Sequence, residues 1–285
     1  MEPGHGAEWG ADCKNSEVYW PPDGFELGAR MSDELISLRV LSCLGGARDF
    51  YFLQQAANTA SIPVHITVAQ NITVARKVLA TSEVDVAFLD ATAAPADLTS
   101  FIASARSAQP RPFVILFAAD AVQASSFKAG GVVPDGVVVK PDSIEKAKVI
   151  IDRCIRLRTP TNVLVVDDSA ALRGIVRKVL KATRFALHIE ESENGMDALK
   201  QVGDGRFDIV FLDDLMPDLN GLETLVAIKR RYPKIQVVFM ISAHDETLGE
   251  RARTAGAAAF LKKPFYPADV DAVLRSYFGL RVPGR

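Results

Sequence analysis

Asp213 ends the apolar run Phe207-Asp208-Ile209-Val210-Phe211-Leu212 and leads into Asp214-Leu215-Met216-Pro217. A second acidic pair, Asp167-Asp168, closes Val163-Leu164-Val165-Val166, and Ser242 closes Val237-Val238-Phe239-Met240-Ile241. Lys263-Pro264 follows a short run from Ala258 to Leu261. Strands that end in acids, a hydroxyl and a lysine suit the carboxyl edge of a parallel sheet, where open α/β folds place their sites. Clustered carboxylates suit a hard divalent cation such as Mg²⁺. One carboxylate could then accept a phosphoryl group while the cation and a lysine neutralise its charge.

The elements that must position these groups follow from periodicity. In this half, strands are expected over 162–166, 186–190, 207–212, 235–241 and 258–261. Helices are expected over about 169–182, 195–203, 221–230, 245–256 and 266–278. Ser169 is the expected N-cap of the first of these helices, and Leu172, Ile175, Val176 and Val179 form its apolar stripe. Short apolar strands between amphipathic helices imply a parallel sheet covered on both faces.

Shifting the chain by 123 positions brings its two halves into register. Val40-Leu41 falls on Val163-Leu164, Asn71 on Asn194, Asp85 on Asp208, Phe88-Leu89-Asp90 on Phe211-Leu212-Asp213, and Lys140-Pro141 on Lys263-Pro264. A single offset without a net gap means two copies of one α/β unit. The junction is expected near Thr159-Pro160-Thr161, where proline stops the preceding helix.

With these residues in place, 162–278 resembles a response-regulator receiver domain, the phosphoacceptor module of two-component signalling. The motifs that carry the resemblance are Val165-Val166-Asp167-Asp168, Leu212-Asp213 through Met216-Pro217 and Gly221, Ser242-Ala243, and Lys263-Pro264-Phe265. Residues 36–158 resemble the same domain in degraded form. The resemblance implies two flavodoxin-like folds, each a five-stranded parallel sheet of order 2-1-3-4-5 with helices on both faces. The expected division is a mobile tail over 1–34, a degenerate receiver-like domain over 35–158 and a phosphorylatable receiver over 159–285.

The resemblance also implies roles. Asp213 would be the phosphoacceptor. Asp168 and Asp213 would bind Mg²⁺ directly with the backbone carbonyl of Leu215, and Asp167 would act through a metal-bound water. Lys263 would pair with Asp213 and then with a phosphoryl oxygen. Ser242 would donate to another, and Phe260 would be the switch aromatic behind it. Leu215 and His244 stand at positions that tune phosphoryl lifetime in the family or simply cover the pocket. Asp214 is expected to face away. Taken singly, acids after a strand are turn or cap residues and Lys263 is a solvated charge; the joint spacing carries the reading.

The first half departs from this set. Leu44-Gly45 stands where the second half has Asp167-Asp168, Ala119 stands for Ser242, Val137 for Phe260 and Ala93-Ala94 for Met216-Pro217. Asp90 and Lys140 remain, an ion pair rather than a dication site. A haloacid-dehalogenase-like phosphatase fits worse, because neither acidic pair has the Asp-x-Asp spacing after the first strand.

Composition bounds the remainder. The 285 residues favour two domains at about 100–200 residues each. The formal net charge of −2 implies no general attraction to nucleic acid or anionic membrane. Three distant cysteines, Cys13, Cys43 and Cys154, form no disulfide framework, so a reducing cytoplasm is expected. No signal peptide or bilayer-spanning run is visible, and little chain follows the last helix for an appended effector. The partners expected are a histidine kinase or phosphotransfer protein and a protein output, with a homodimer left open. A phosphorylation-independent adaptor using both folds as docking surfaces is the alternative. The short connector Arg158-Thr159-Pro160-Thr161 leads to a further expectation, that the halves pack together and that the second half's last strand and helices, including Phe260 and 245–256, form the surface that moves on phosphorylation.

Overall fold

The computed structural model describes residues 37–126, 133–217, 219–242 and 246–280. The expected tail over 1–34, Ala243 and His244 lie outside the described residues. The first half runs β1 (Leu38–Cys43), α1 (Ala47–Asn58), β2 (Val64–Val68), α2 (Ile72–Thr81), β3 (Val86–Asp90), α3 (Pro95–Ser107), β4 (Phe113–Ala118), α4 (Ala121–Ser126), β5 (Gly136–Val139) and α5 (Ile144–Arg158). The second runs β6 (Thr161–Val166), α6 (Ala170–Lys181), β7 (Leu187–Ser192), α7 (Gly195–Val202), β8 (Ile209–Asp213), α8 (Gly221–Arg231), β9 (Gln236–Ser242), α9 (Glu246–Thr254), β10 (Ala259–Lys263) and α10 (Pro267–Tyr277).

Each half is a five-stranded parallel sheet, ordered β2-β1-β3-β4-β5 and β7-β6-β8-β9-β10. These are flavodoxin-like receiver folds. The offset of 123 holds in every ladder. Val40 pairs with Val86 and Val163 with Ile209; Leu38 with Val64 and Thr161 with Leu187. Val86 pairs with Phe113 and Ile209 with Gln236; Ile115 with Gly136 and Val238 with Ala259. The repeat also extends to polar detail. Asp85 accepts a hydrogen bond from Arg39 N, and Asp208 accepts one from Asn162 N, each at 2.8 Å. Asn71 and Asn194 cap α2 and α7 by accepting from the N–H three residues on.

Alternation along the buried strands divides the core. Val163, Val165, Ile209 and Phe211 face α6 and α10, whereas Leu164, Val166, Val210 and Leu212 face α7, α8 and α9. Each fully buried Phe or Leu stabilises by roughly 1.5–3 kcal/mol. The core on the α1 and α5 side of the first sheet is continuous with the core on the α6 and α10 side of the second. Phe113 stacks on Phe185 at 5.7 Å and Phe185 on Phe278 at 4.5 Å, bridging the two.

Two details differ from expectation. The α6 stripe is half buried: Val176 is 1% exposed, but Leu172 and Ile175 are 36% and 52% exposed. The line facing the sheet runs from Val176 to Leu180, one turn on. β7 extends to Ser192 instead of ending at 190. It is an edge strand, so Glu190 and Glu191 can pair beside the sheet with Arg206, Arg173 and Arg177. The halves meet through 111–113 and 135–136 on one side and 184–185 and 275–280 on the other. Phe260 packs within the second half, under the Arg253 guanidinium at 5.6 Å. Among the described residues no helix is long and apolar enough to cross a membrane.

Candidate functional site

Four strands of the second sheet deliver the site. β6 runs into Asp167 and Asp168, and β8 ends on Asp213. β9 and β10 end on Ser242 and Lys263, which are paired in register. One oxygen from each of Asp167, Asp168 and Asp213 lies within 4.8 Å of the others. Asp167 and Asp213 are buried and Asp168 is exposed.

Lys263 ties two of the acids together. Its Nζ donates to Asp213 Oδ1 at 2.5 Å and to Asp167 Oδ2 at 3.2 Å. The N–H of Asp214 also donates to Asp213 Oδ1 at 2.8 Å, and that of Ser169 to Asp167 Oδ1 at 2.9 Å. Burial pushes the Asp213 carboxyl up; Lys263 opposes this and the charge of Asp167 adds to it. Burial pulls the Lys263 ammonium down, but Asp213 and Asp167 outweigh it and leave it above its ordinary value. One ammonium against three carboxylates leaves two negative charges, which one divalent cation would neutralise. The donor set, all oxygen, fits Mg²⁺.

Backbone proximity sets the loop after Asp213. A Cβ on Gly221 would lie 2.0 Å from the Asp213 carbonyl oxygen, so only glycine lets α8 start this close to β8. Asn220 and Glu223 form a capping box there. Leu215 exposes its side chain. Asp214 is buried and turns toward β9, where its Oδ2 accepts from Ser242 N at 3.3 Å; it does not join the acidic trio.

The response regulator receiver domain family matches residues 163–275. The chemotaxis protein CheY of Listeria monocytogenes is 33% identical over 113 residues, which make up 40% of this chain and 92% of that protein. The chain belongs to the response regulator receiver family. ResD of Bacillus subtilis, a transcriptional regulatory protein, is 32% identical over 133 residues, 43% of this chain and 54% of ResD. CheY4 of Vibrio cholerae superposes on 41% of this chain and 98% of its own, at 26% identity and a TM-score of 0.39. A probable two-component system response regulator/GGDEF domain protein covers 85% of this chain and 97% of its own, at 22% identity and a TM-score of 0.47.

In the first receiver-like half the equivalent edge is closed by an internal ion cluster. Lys140 Nζ lies 2.5 Å from Asp90 Oδ2 and 3.1 Å from Asp49 Oδ2. Thr92 donates to Asp90 Oδ1 through its hydroxyl at 2.7 Å and its N–H at 3.0 Å. Burial pushes Asp90 up, but Lys140 and Thr92 outweigh it and hold it below its ordinary value. The expected pair is therefore a trio. Asp49 escaped sequence reasoning because its counterpart in the receiver half is Leu172 and because it sits on a helix, not at a strand end.

Proposed function

We propose that the second half accepts a phosphoryl group on Asp213 and that the first half is a receiver fold without this chemistry. The observation that carries the reading is the convergence of Asp167, Asp168 and Asp213 with Lys263 on both buried acids. Leu44 and Gly45 at the matching positions leave the first half without such a cluster. On this reading the domains are 35–158 and 159–285, and the donor is a histidine kinase or phosphotransfer protein.

Asp168 and Asp213 would hold Mg²⁺ with the Leu215 carbonyl, and Asp167 would reach it through water. The cation supplies charge neutralisation at the phosphoryl oxygens. An Asp213 carboxylate oxygen forms the new O–P bond as the N–P bond of phosphohistidine breaks, and the electron pair stays on the imidazole. Lys263 passes from Asp213 to a phosphoryl oxygen and Ser242 donates to another. An aspartyl phosphate carries about −1.5 to −2 charge where the carboxylate carried one, and Phe260 would respond to the change as the switch aromatic. Output is by protein contact. Buried free thiols at Cys43 and Cys154 fit a reducing cytoplasm. For the first half alone a docking role fits, because Lys140 already occupies its acids.

Labelling of the full chain by radioactive acetyl phosphate with Mg²⁺ tests the reading. Wild type and Asp90→Ala are expected to label and Asp213→Ala to stay blank. Retained label in Asp213→Ala would identify a different acceptor.

A further inference from the structure

Arg173 lies near the start of α6, where a cation opposes the helix dipole. Local helix energetics therefore do not explain it; its contacts do. Its Nη1 donates to the carbonyl oxygens of Asp167 at 2.8 Å and Asp168 at 3.3 Å. Its Nε donates to Glu191 Oε2 at 3.2 Å, on the neighbouring strand β7. Only 13% of the side chain is exposed. Glu191 is held in turn by Arg177 Nη1 at 3.2 Å from Oε1. The guanidinium thus straps the backbone carrying two of the three acids to the edge of the sheet. Asp168 is the exposed acid, so its direction depends on how that backbone is held.

The repeat supplies an internal control. At the same offset Arg173 becomes Phe50, Arg177 becomes Gln54 and Glu191 becomes Val68. The half that lacks the acids, with Leu44 and Gly45, also lacks every member of the strap. The strands themselves pair in the same register in both halves, so the strap is not needed for the fold.

We propose that Arg173, oriented by Glu191, is a positioning residue that holds the Asp167–Asp168 backbone so that these carboxylates converge with Asp213 on a divalent cation. The proposal rests on the Mg²⁺ reading above. It makes a prediction opposite in sign to simple electrostatics. Removing a positive charge beside a dication site should by Coulomb's law tighten the cation. Loosening the backbone of its ligands should weaken it, as loss of outer-shell hydrogen bonds does by about 10–100-fold.

Isothermal titration of the full chain with MgCl₂, together with metal-free thermal melting, decides between them. Arg173→Met is expected to weaken Mg²⁺ about tenfold, with little change in the metal-free midpoint. Arg173→Lys should recover part of the loss, since an ammonium can reach one carbonyl but lacks the guanidinium fork. Glu191→Gln, which keeps an acceptor for Nε, should fall between wild type and Arg173→Met. Unchanged or tighter Mg²⁺ binding by Arg173→Met overturns the proposal. So does a loss matched by a collapsed metal-free midpoint and not relieved in Arg173→Lys or Glu191→Gln. Absence of Mg²⁺ binding by wild type would instead sink the reading beneath it.

Discussion

Arg184 Nη1 lies 2.5 Å from Asp135 Oδ1, and through this contact the two halves share a charge cluster around the buried Asp135. Asp135, just before β5, also takes Arg275 Nη1 on its carbonyl oxygen at 2.8 Å and has Arg111 Nη2 3.9 Å from Oδ1. Its Oδ2 accepts from Val114 N at 2.8 Å. Arg184 reaches on to the carbonyls of Arg111 and Pro112 and lies 4.0 Å over the Phe113 ring. None of this comes from the repeat: the counterparts of Asp135, Arg184 and Arg275 are Ala258, Ser61 and Asp152. The cluster belongs to the junction.

Asp135→Ala should therefore destabilise the full chain by about 2 kcal/mol, because it removes the buried carboxylate that the half-buried Arg184 and Arg275 share. Arg111→Ala, removing the more exposed partner, should cost less than about 1 kcal/mol. Equilibrium denaturation in urea measures both. Equal, small effects would mean that the junction carries little stability.

Two glycines separate close approach from helix propensity. Gly221→Ala places a methyl group against the Asp213 carbonyl and should cost about 2 kcal/mol or more, as overpacking does. Gly174 lies inside α6, and a Cβ there meets nothing within 4 Å. Gly174→Ala should stabilise by about 0.5–1 kcal/mol. Thermal melting of the two variants should thus move in opposite directions.

Lys140→Met tests the ion cluster of the first half and its pH dependence. Asp90 is held low in the folded protein, so its stabilising effect is present above the unfolded value of about 3.9 and is lost as pH falls through the folded value. Without Lys140, burial works against the Thr92 hydrogen bonds alone, so Asp90 is held low less strongly and the variant loses less stability than wild type as pH falls. The variant should be less stable by about 1–2 kcal/mol near pH 7, the pair being partly exposed. The gap should hold down to about pH 4 and shrink below it, as the folded value of Asp90 is passed. A gap that widens on acidification, measured by denaturant titration at several pH values, would contradict the assignment.

Cys154 is 1% exposed on α5, and burial pushes its thiol up to about 12. The thiolate is the reactive form. Iodoacetamide at pH 8 should leave Cys154 unmodified in the native protein and label it once urea is added. Mass spectrometry of tryptic peptides reads the outcome, and rapid native labelling would show that α5 opens.

Strand-end chemistry and the 123-residue offset were legible in the chain because both are properties of spacing. A parallel strand fixes which residue reaches the carboxyl edge, so spacing alone brings Asp167, Asp168, Asp213, Ser242 and Lys263 to one edge. The order of both sheets followed from the resemblance to receiver domains, not from spacing. What remained hidden depends on contacts between elements far apart in sequence. Asp49 reaches Lys140 across 91 positions, Arg184 reaches Asp135 across 49, and both come from outside the strand ends. Nothing in its spacing sets Arg173 apart from an ordinary helix cation; only the contact of its Nη1 with the Asp167 and Asp168 carbonyls does. Sequence periodicity specifies which face a residue occupies. Only packing decides which partner that face meets, because a buried charge is settled by the group that closes over it.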